Sequence, residues 1–166
     1  MPTAHFPHLL ILDMPGETGE QWRPLVVTTG DDALFQDRYG AATKENVVQF
    51  LTFDKENPNS IISCLCAARE NARSVREIIS AEMWEHLNKF YLLIRESSSP
   101  DQAIENPYAY FEQVNLSGQQ FLGVADATMT HGEAWHFCRL GRMIERADKT
   151  SRILDVKYFI LLPQPT

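Results

Sequence analysis

Residues 130–160 read THGEAWHFCRLGRMIERADKTSRILDVKYFI, and at 100° per residue they sort into two faces. Phe137, Leu140, Ile144, Ala147, Ser151, Leu154 and Tyr158 share one arc, and Arg142, Glu145, Arg146, Lys149 and Arg152 lie opposite. The pattern predicts a long amphipathic helix docked by its apolar arc, with the charged face in solvent. Thr130 followed three residues later by Glu133 has capping-box spacing, and Pro163 forbids continuation beyond the last periodic residues. Gly141 costs about 1 kcal/mol against alanine inside a helix, which predicts a second helix approaching closely there. Such a helix needs partners from the rest of the chain.

Upstream, Asn106 as N-cap and Pro107 at the first helical position open a segment whose stripe is Phe111, Val114, Gly118, Phe121, Leu122, Ala125 and Met129. The same Asn-Pro pair at Asn57 and Pro58 predicts a second long helix, with Ile61, Cys64, Leu65, Ala68, Ala72, Val75 and Ile79 on its apolar side. The phase changes near Ser80, and residues 81–96 carry a new stripe of Met83, Leu87, Phe90, Tyr91 and Ile94. Residues 97–106, SSSPDQAIEN, read as a loop. Three short helices precede these: Glu20–Thr29 ended by Gly30, then 32–39 capped by Asp31 and closed by Gly40, then 44–53 capped by Thr43. No strand-like alternation of useful length occurs. The fold class is all-α, a bundle of about four long amphipathic helices preceded by short ones. Residues 1–17, with three prolines and the apolar patch Leu9–Leu12, are an extended lead-in, and 18–166 form one helical domain.

Composition narrows the functions. A chain of 166 residues with 44% hydrophobic and 22% charged residues is neither disordered nor membrane-like. A net charge of -7 gathers no phosphate, which argues against a nucleic-acid partner. The chain has no apolar run of the roughly 18 residues a spanning helix needs, and the lead-in resembles neither signal nor anchor. Cys64, Cys66 and Cys138 form neither a CxxC pair nor an even set, as expected of reduced thiols in a cytoplasmic protein.

Two charged clusters are candidates for chemistry. Arg69, Glu70, Asn71, Arg73, Arg76 and Glu77 lie along one helix edge, where guanidinium forks could cradle a carboxylate or phosphate beside a proton-moving Glu. The same residues also fit an intrahelical ion-pair ladder or an ion network between helices. Arg142, Glu145, Arg146, Lys149 and Arg152 form the second cluster, expected as a solvated face. Glu133 and His136 have the Glu-x-x-His spacing of di-iron bundles, with His131 nearby. Glu82 and His86 are spaced by four instead of three, so the ligand set is incomplete and no metal or other cofactor is assigned. The chain has no nucleophile elbow, Walker loop, dinucleotide fingerprint or HExxH motif. Trp22, Trp84 and Trp135 are expected in the core.

Together, NPNSIISCLCAARENARSVREIISAEMWEHLN and FLGVADATMTHGEAWHFCRLGRMIERADKTSRILDV resemble the Alpha-E family, bacterial all-helical proteins with an "ER" motif, here Glu145-Arg146. WRPLVVTTGDDALFQDRYG and VVQFLTFDKENPNS extend the likeness, which runs from about Leu9 to Leu162. The resemblance implies partners: ATP-grasp ligases, transglutaminase-like peptidases and a proteasome-like peptidase, beside or fused to family members. It implies a setting of ATP-dependent peptide synthesis or modification, and it points to Arg69, Glu70, Asn71, Arg73, Arg142, Glu145, Arg146 and Arg152 as the residues to test. Histidines at positions 131 and 136 are not part of the family pattern. Family members extend past this chain at both ends, so it resembles a middle piece of a larger bundle that should expose an apolar stripe and self-associate. Two roles remain in play: an enzyme subunit whose Arg and Glu clusters share one cleft, and a non-catalytic interaction module.

Overall fold

The computed structural model describes residues 22–96 and 100–161, and the predicted lead-in, Leu9–Leu12 and Pro163 lie outside them. In chain order the helices are α1 (Arg23–Thr29), α2 (Asp32–Tyr39), α3 (Lys44–Val48), α4 (Ile61–Ser74), α5 (Ala81–Glu96), α6 (Pro100–Glu105), α7 (Pro107–Thr128) and α8 (Glu133–Leu161). Among the described residues there is no strand, in agreement with the all-α expectation.

The short helices stop where glycine permits it. Gly30 has φ 83° and Gly40 φ 67°, both in the left-handed region where a β-carbon is unfavourable. Thr43 caps α3 by accepting the amide of Asn46, and α3 then widens into a π-helical turn, Gln49–Phe53. Asp31 occupies the cap position of α2, yet its carboxylate accepts the Asn59 side-chain amide at 2.9 and 3.0 Å. These segments enclose a small core of Leu25, Val26, Phe35, Val47 and Phe50, with Phe35 stacked on Tyr39 and edge-on to Phe50.

The larger core lies between α4, α5 and α7. Met83, Leu87, Phe90 and Ile94 from α5 meet Phe111, Val114, Phe121 and Ala125 from α7, with Ile62 and Leu65 from α4. The α5 and α7 residues belong to their predicted stripes and Leu65 to that of α4, whereas Ile62 lies outside all three.

The two Asn-Pro pairs behave differently. Asn106 caps α7 by accepting the amide of Ala109. Asn57 starts no helix: it is fully buried, its Nδ2 donates to the Phe50 carbonyl at 3.0 Å, and its Oδ1 accepts the Asn59 amide at 2.8 Å. Ser60 takes over as cap of α4, its hydroxyl accepting the Ser63 amide. A turn whose asparagine closes back on the preceding segment competes with the helix start and wins. The segment ends early as well, with α4 stopping at Ser74. Within the predicted loop, α6 forms and buries Ala103. Helix α8 begins at Glu133, so Glu133 opens the helix instead of closing a box on Thr130. Apart from α8's own backbone, no atom of the described residues lies within 4 Å of a β-carbon placed on Gly141, so none of the described helices crosses there.

Candidate functional site

Helix α8 carries half of the candidate residues, and its orientation overturns the sequence expectation. Phe137 is 65% exposed, Ile144 62% and Leu154 64%, and Leu140 and Met143 are exposed as well. The charged face is the one turned toward the rest of the molecule, and among the described residues none from α8 joins either hydrophobic core.

Each charge on that face has a specific setting. Arg142 Nη1 lies 3.6 Å from Asp126 Oδ2 on α7. Lys149 Nζ is 3.6 Å from Glu145 Oε1, and only 24% of the Lys149 side chain is exposed. Arg152 Nε donates to both oxygens of Asp148 at 3.1 and 3.0 Å. Its Nη1 would lie 3.3 Å from a β-carbon on Gly30, so the guanidinium sits over the left-handed turn that closes α1. Lys149 and Glu145 also bear on Cys64 of α4. Burial pushes that thiol above its usual range, and the Lys149 charge opposes the rise. A half-buried thiol with a raised pKa is a poor nucleophile. Arg146 is exposed, and its carbonyl accepts the Thr150 hydroxyl at 2.7 Å.

This inverted docking has a physical basis. The surface offered to α8 by α1 and α7 contains Asp126 and the backbone turn at Gly30, and long Arg and Lys stems cover such a surface while their heads find partners.

The first cluster is built on α4 and α5. Arg69 Nε donates to Asn88 Oδ1 at 2.8 Å, while its guanidinium carbon stands 5.5 Å from the Trp84 ring centre and 5.1 Å from that of Tyr91. Arg76 covers Trp84 at 4.7 Å and Arg95 covers Tyr91 at 5.6 Å. The result is a ladder, Arg76, Trp84, Arg69, Tyr91, Arg95, of alternating guanidinium and ring. Trp84, Asn88, Tyr91 and Arg95 recur at helical spacing on one line of α5, a signal present in the sequence although Trp84 reads there as core. Glu70 lies 3.4 Å from Arg69 and 3.5 Å from Arg73, with Glu70 and Arg73 exposed. Asn71 is exposed and its carbonyl accepts the Ser74 hydroxyl.

The two clusters do not converge. Cys64, which faces α8, and Arg69 are about 140° apart around α4. Among the described residues the side-chain partners of Arg69, Glu70 and Arg73 come from α4 and α5, and those of Arg142, Glu145 and Arg152 from α7 and α8. The histidines form no metal centre either. His131 stacks on Trp135 at 4.2 Å, His136 meets the same ring edge-on, and among the described residues no three metal-ligating side chains gather. Among those residues no helix is long and apolar enough to cross a membrane.

Comparison with known proteins places this architecture. Residues 4–165 match the model of Alpha-E, "a predicted alpha-helical domain with a conserved ER motif". The chain has a single Glu-Arg dipeptide, Glu145-Arg146, in the middle of α8. An uncharacterised protein of Mycobacterium bovis is 26% identical over 122 residues, 71% of this chain and 14% of the relative. An uncharacterised protein of Mycobacterium tuberculosis is 25% identical over the same share of each. The matched stretch thus spans about a seventh of those relatives. No solved structure matches. With the family model covering nearly its whole length, the chain belongs to the Alpha-E family.

Proposed function

We propose that this chain is an organising component, not a reacting one, of a cytoplasmic ATP-grasp-associated system that forms or modifies peptide bonds. One observation supports the organising role: the two charged clusters occupy separate places and are paired within themselves. An acyl-transfer cleft needs its guanidinium clamp and its proton-moving carboxylate around one reacting atom. Here Arg69 is held by Asn88, Trp84 and Tyr91, whereas Glu145 is held by Lys149. The peptide-ligase setting rests on the family resemblance, with an ATP-grasp ligase and transglutaminase-like or proteasome-like peptidases as partners.

In this reading the eight candidate residues divide by exposure. Arg69 and Arg142 tie one helix to another, Glu145 and Arg152 lie on the docking face of α8, and Glu70, Asn71, Arg73 and Arg146 are available to a partner protein. The test is co-purification with an ATP-grasp ligase from the native lysate, followed by ATP turnover of the complex. Arg73→Glu with Arg146→Glu should weaken capture of the ligase. Glu145→Gln and Arg69→Ala should leave turnover per captured ligase within about twofold, less than about 0.4 kcal/mol of barrier. A turnover loss of about a hundredfold or more, with folding and capture intact, would establish the enzyme-subunit reading instead.

A further inference from the structure

The exposed arc of α8 has more order than an apolar patch requires. Phe137, Leu140, Ile144, Ala147, Ser151 and Leu154 are all exposed, and the steps between them are three, four, three, four and three residues. That is a period of 3.5, the a/d seam of a left-handed coiled coil, so the occupant that fits it is another helix with the same repeat. From this seam we infer that α8 pairs with the α8 of a second copy of this chain, antiparallel, across a two-fold axis.

The sizes along the seam select that occupant and direction. In the antiparallel register that sets Ile144 opposite the partner's Ala147, Leu140 falls opposite the partner's Ser151, and Phe137 opposite the partner's Leu154. Two of these three layers then join a large side chain to a small one, and symmetry repeats each layer on the other side of the axis. A parallel pair would stack Ala147 on Ala147 and Ser151 on Ser151 in adjacent layers, leaving a thin centre between bulky ends. The seam is therefore self-complementary in one direction only.

The area agrees. Phe137, Leu140, Met143, Ile144 and Leu154 together expose on the order of 500 Å² of apolar surface, taking about 200 Å² for a fully exposed large side chain. A standard interface takes about 800 Å² per partner, and homodimer interfaces are about 65% apolar, again on the order of 500 Å². The pair between Arg142 and Asp126 of α7, and the Arg152 guanidinium seated over the Gly30 turn, hold α8 so that this face is outermost. The pairing requires no ligase and stands or falls separately from the role proposed above.

The test uses the full chain with Cys64, Cys66 and Cys138 changed to Ser, carrying either Phe137→Cys or Leu154→Cys. Sedimentation equilibrium of the unmodified chain should give twice its 19.0 kDa mass, and Ile144→Lys should raise the dissociation midpoint about tenfold or more with helix content kept. On mild oxidation of the two cysteine variants mixed, the 137-to-154 disulfide should exceed each variant's disulfide with itself by several-fold. A single-chain mass across the micromolar range would overturn the dimer. Like-with-like disulfides in the majority would overturn the antiparallel register, and equal yields of all combinations would mark non-specific association and overturn it too.

Discussion

Glu145 and Ile144 are neighbours in the chain and face opposite ways: the Glu145 carboxylate lies 3.6 Å from Lys149 on the side of α8 turned to the bundle, while Ile144 is 62% exposed. The Glu-Arg dipeptide that marks the family therefore divides its labour. Its glutamate belongs to the docking face and its arginine to the surface. The pair that crosses from α8 to another helix, Arg142 with Asp126, is partly exposed, and such a pair contributes about 0–1 kcal/mol, whereas Lys149–Glu145 and Arg152–Asp148 lie within α8, so its charges hold α8 only weakly.

Asn57 and Asn106 look alike in sequence and should differ under mutation. Asn57→Ala strands the buried Phe50 carbonyl and should cost about 1–3 kcal/mol, whereas Asn106→Ala removes an exposed cap worth about 1 kcal/mol. Urea unfolding of the two variants checks the order. Equal losses would mean that Asn57 acts as an ordinary cap.

Arg69 should matter through its shape as well as its charge. Arg69→Lys keeps the charge but loses the broad guanidinium over the Trp84 and Tyr91 rings and the geometry of the Asn88 bond, which should cost roughly 1–3 kcal/mol. Arg73→Lys, at an exposed pair with Glu70, should stay within about 0.5 kcal/mol. Thermal unfolding of both, with tryptophan fluorescence reporting on Trp84, distinguishes them.

Tyr39 gives the fold a dependence on high pH. Its phenol is pushed up from 10.0 to about 12, first by burial and then by the hydrogen bond it donates to Asp54 at 3.0 Å. A raised folded pKa means that the neutral phenol stabilises the fold. That contribution is complete below pH 10 and is lost as pH rises through about 12. The urea midpoint should fall between about pH 9 and pH 11.5, and Tyr39→Phe should fall less over the same interval. An identical fall in both would remove Tyr39 as the cause.

Much of the fold could be read from the sequence because the signals were local. Gly30 and Gly40 end helices, Thr43 and Asn106 cap them, and Leu87, Phe90, Phe111 and Val114 are buried as their spacing requires. The failures came where two local solutions competed or where a distant surface decided. At Asn57 a buried turn displaced a helix start. On α8, periodicity separated an apolar face from a charged one correctly but could not say which face the bundle would meet, because that depends on Asp126 and the Gly30 turn far away in sequence. The candidate site divides the same way. Arg69 and Arg73 are legible as one row on α4, but Arg76 falls beyond its end, and the Trp84 and Tyr91 rings that meet Arg69 and Arg76 lie on another helix, where the sequence reads them as packing.

Whether α8 docks by its charged face and leaves its apolar arc outside its own bundle is decided by urea unfolding of Leu140→Ala and Leu87→Ala at sub-micromolar chain concentration, where a pairing of copies contributes least. Leu87→Ala should cost about 2–5 kcal/mol as a core cavity, and Leu140→Ala less than about 0.5 kcal/mol. A core-sized loss for Leu140→Ala under those conditions would contradict the account and return the apolar arc to the interior.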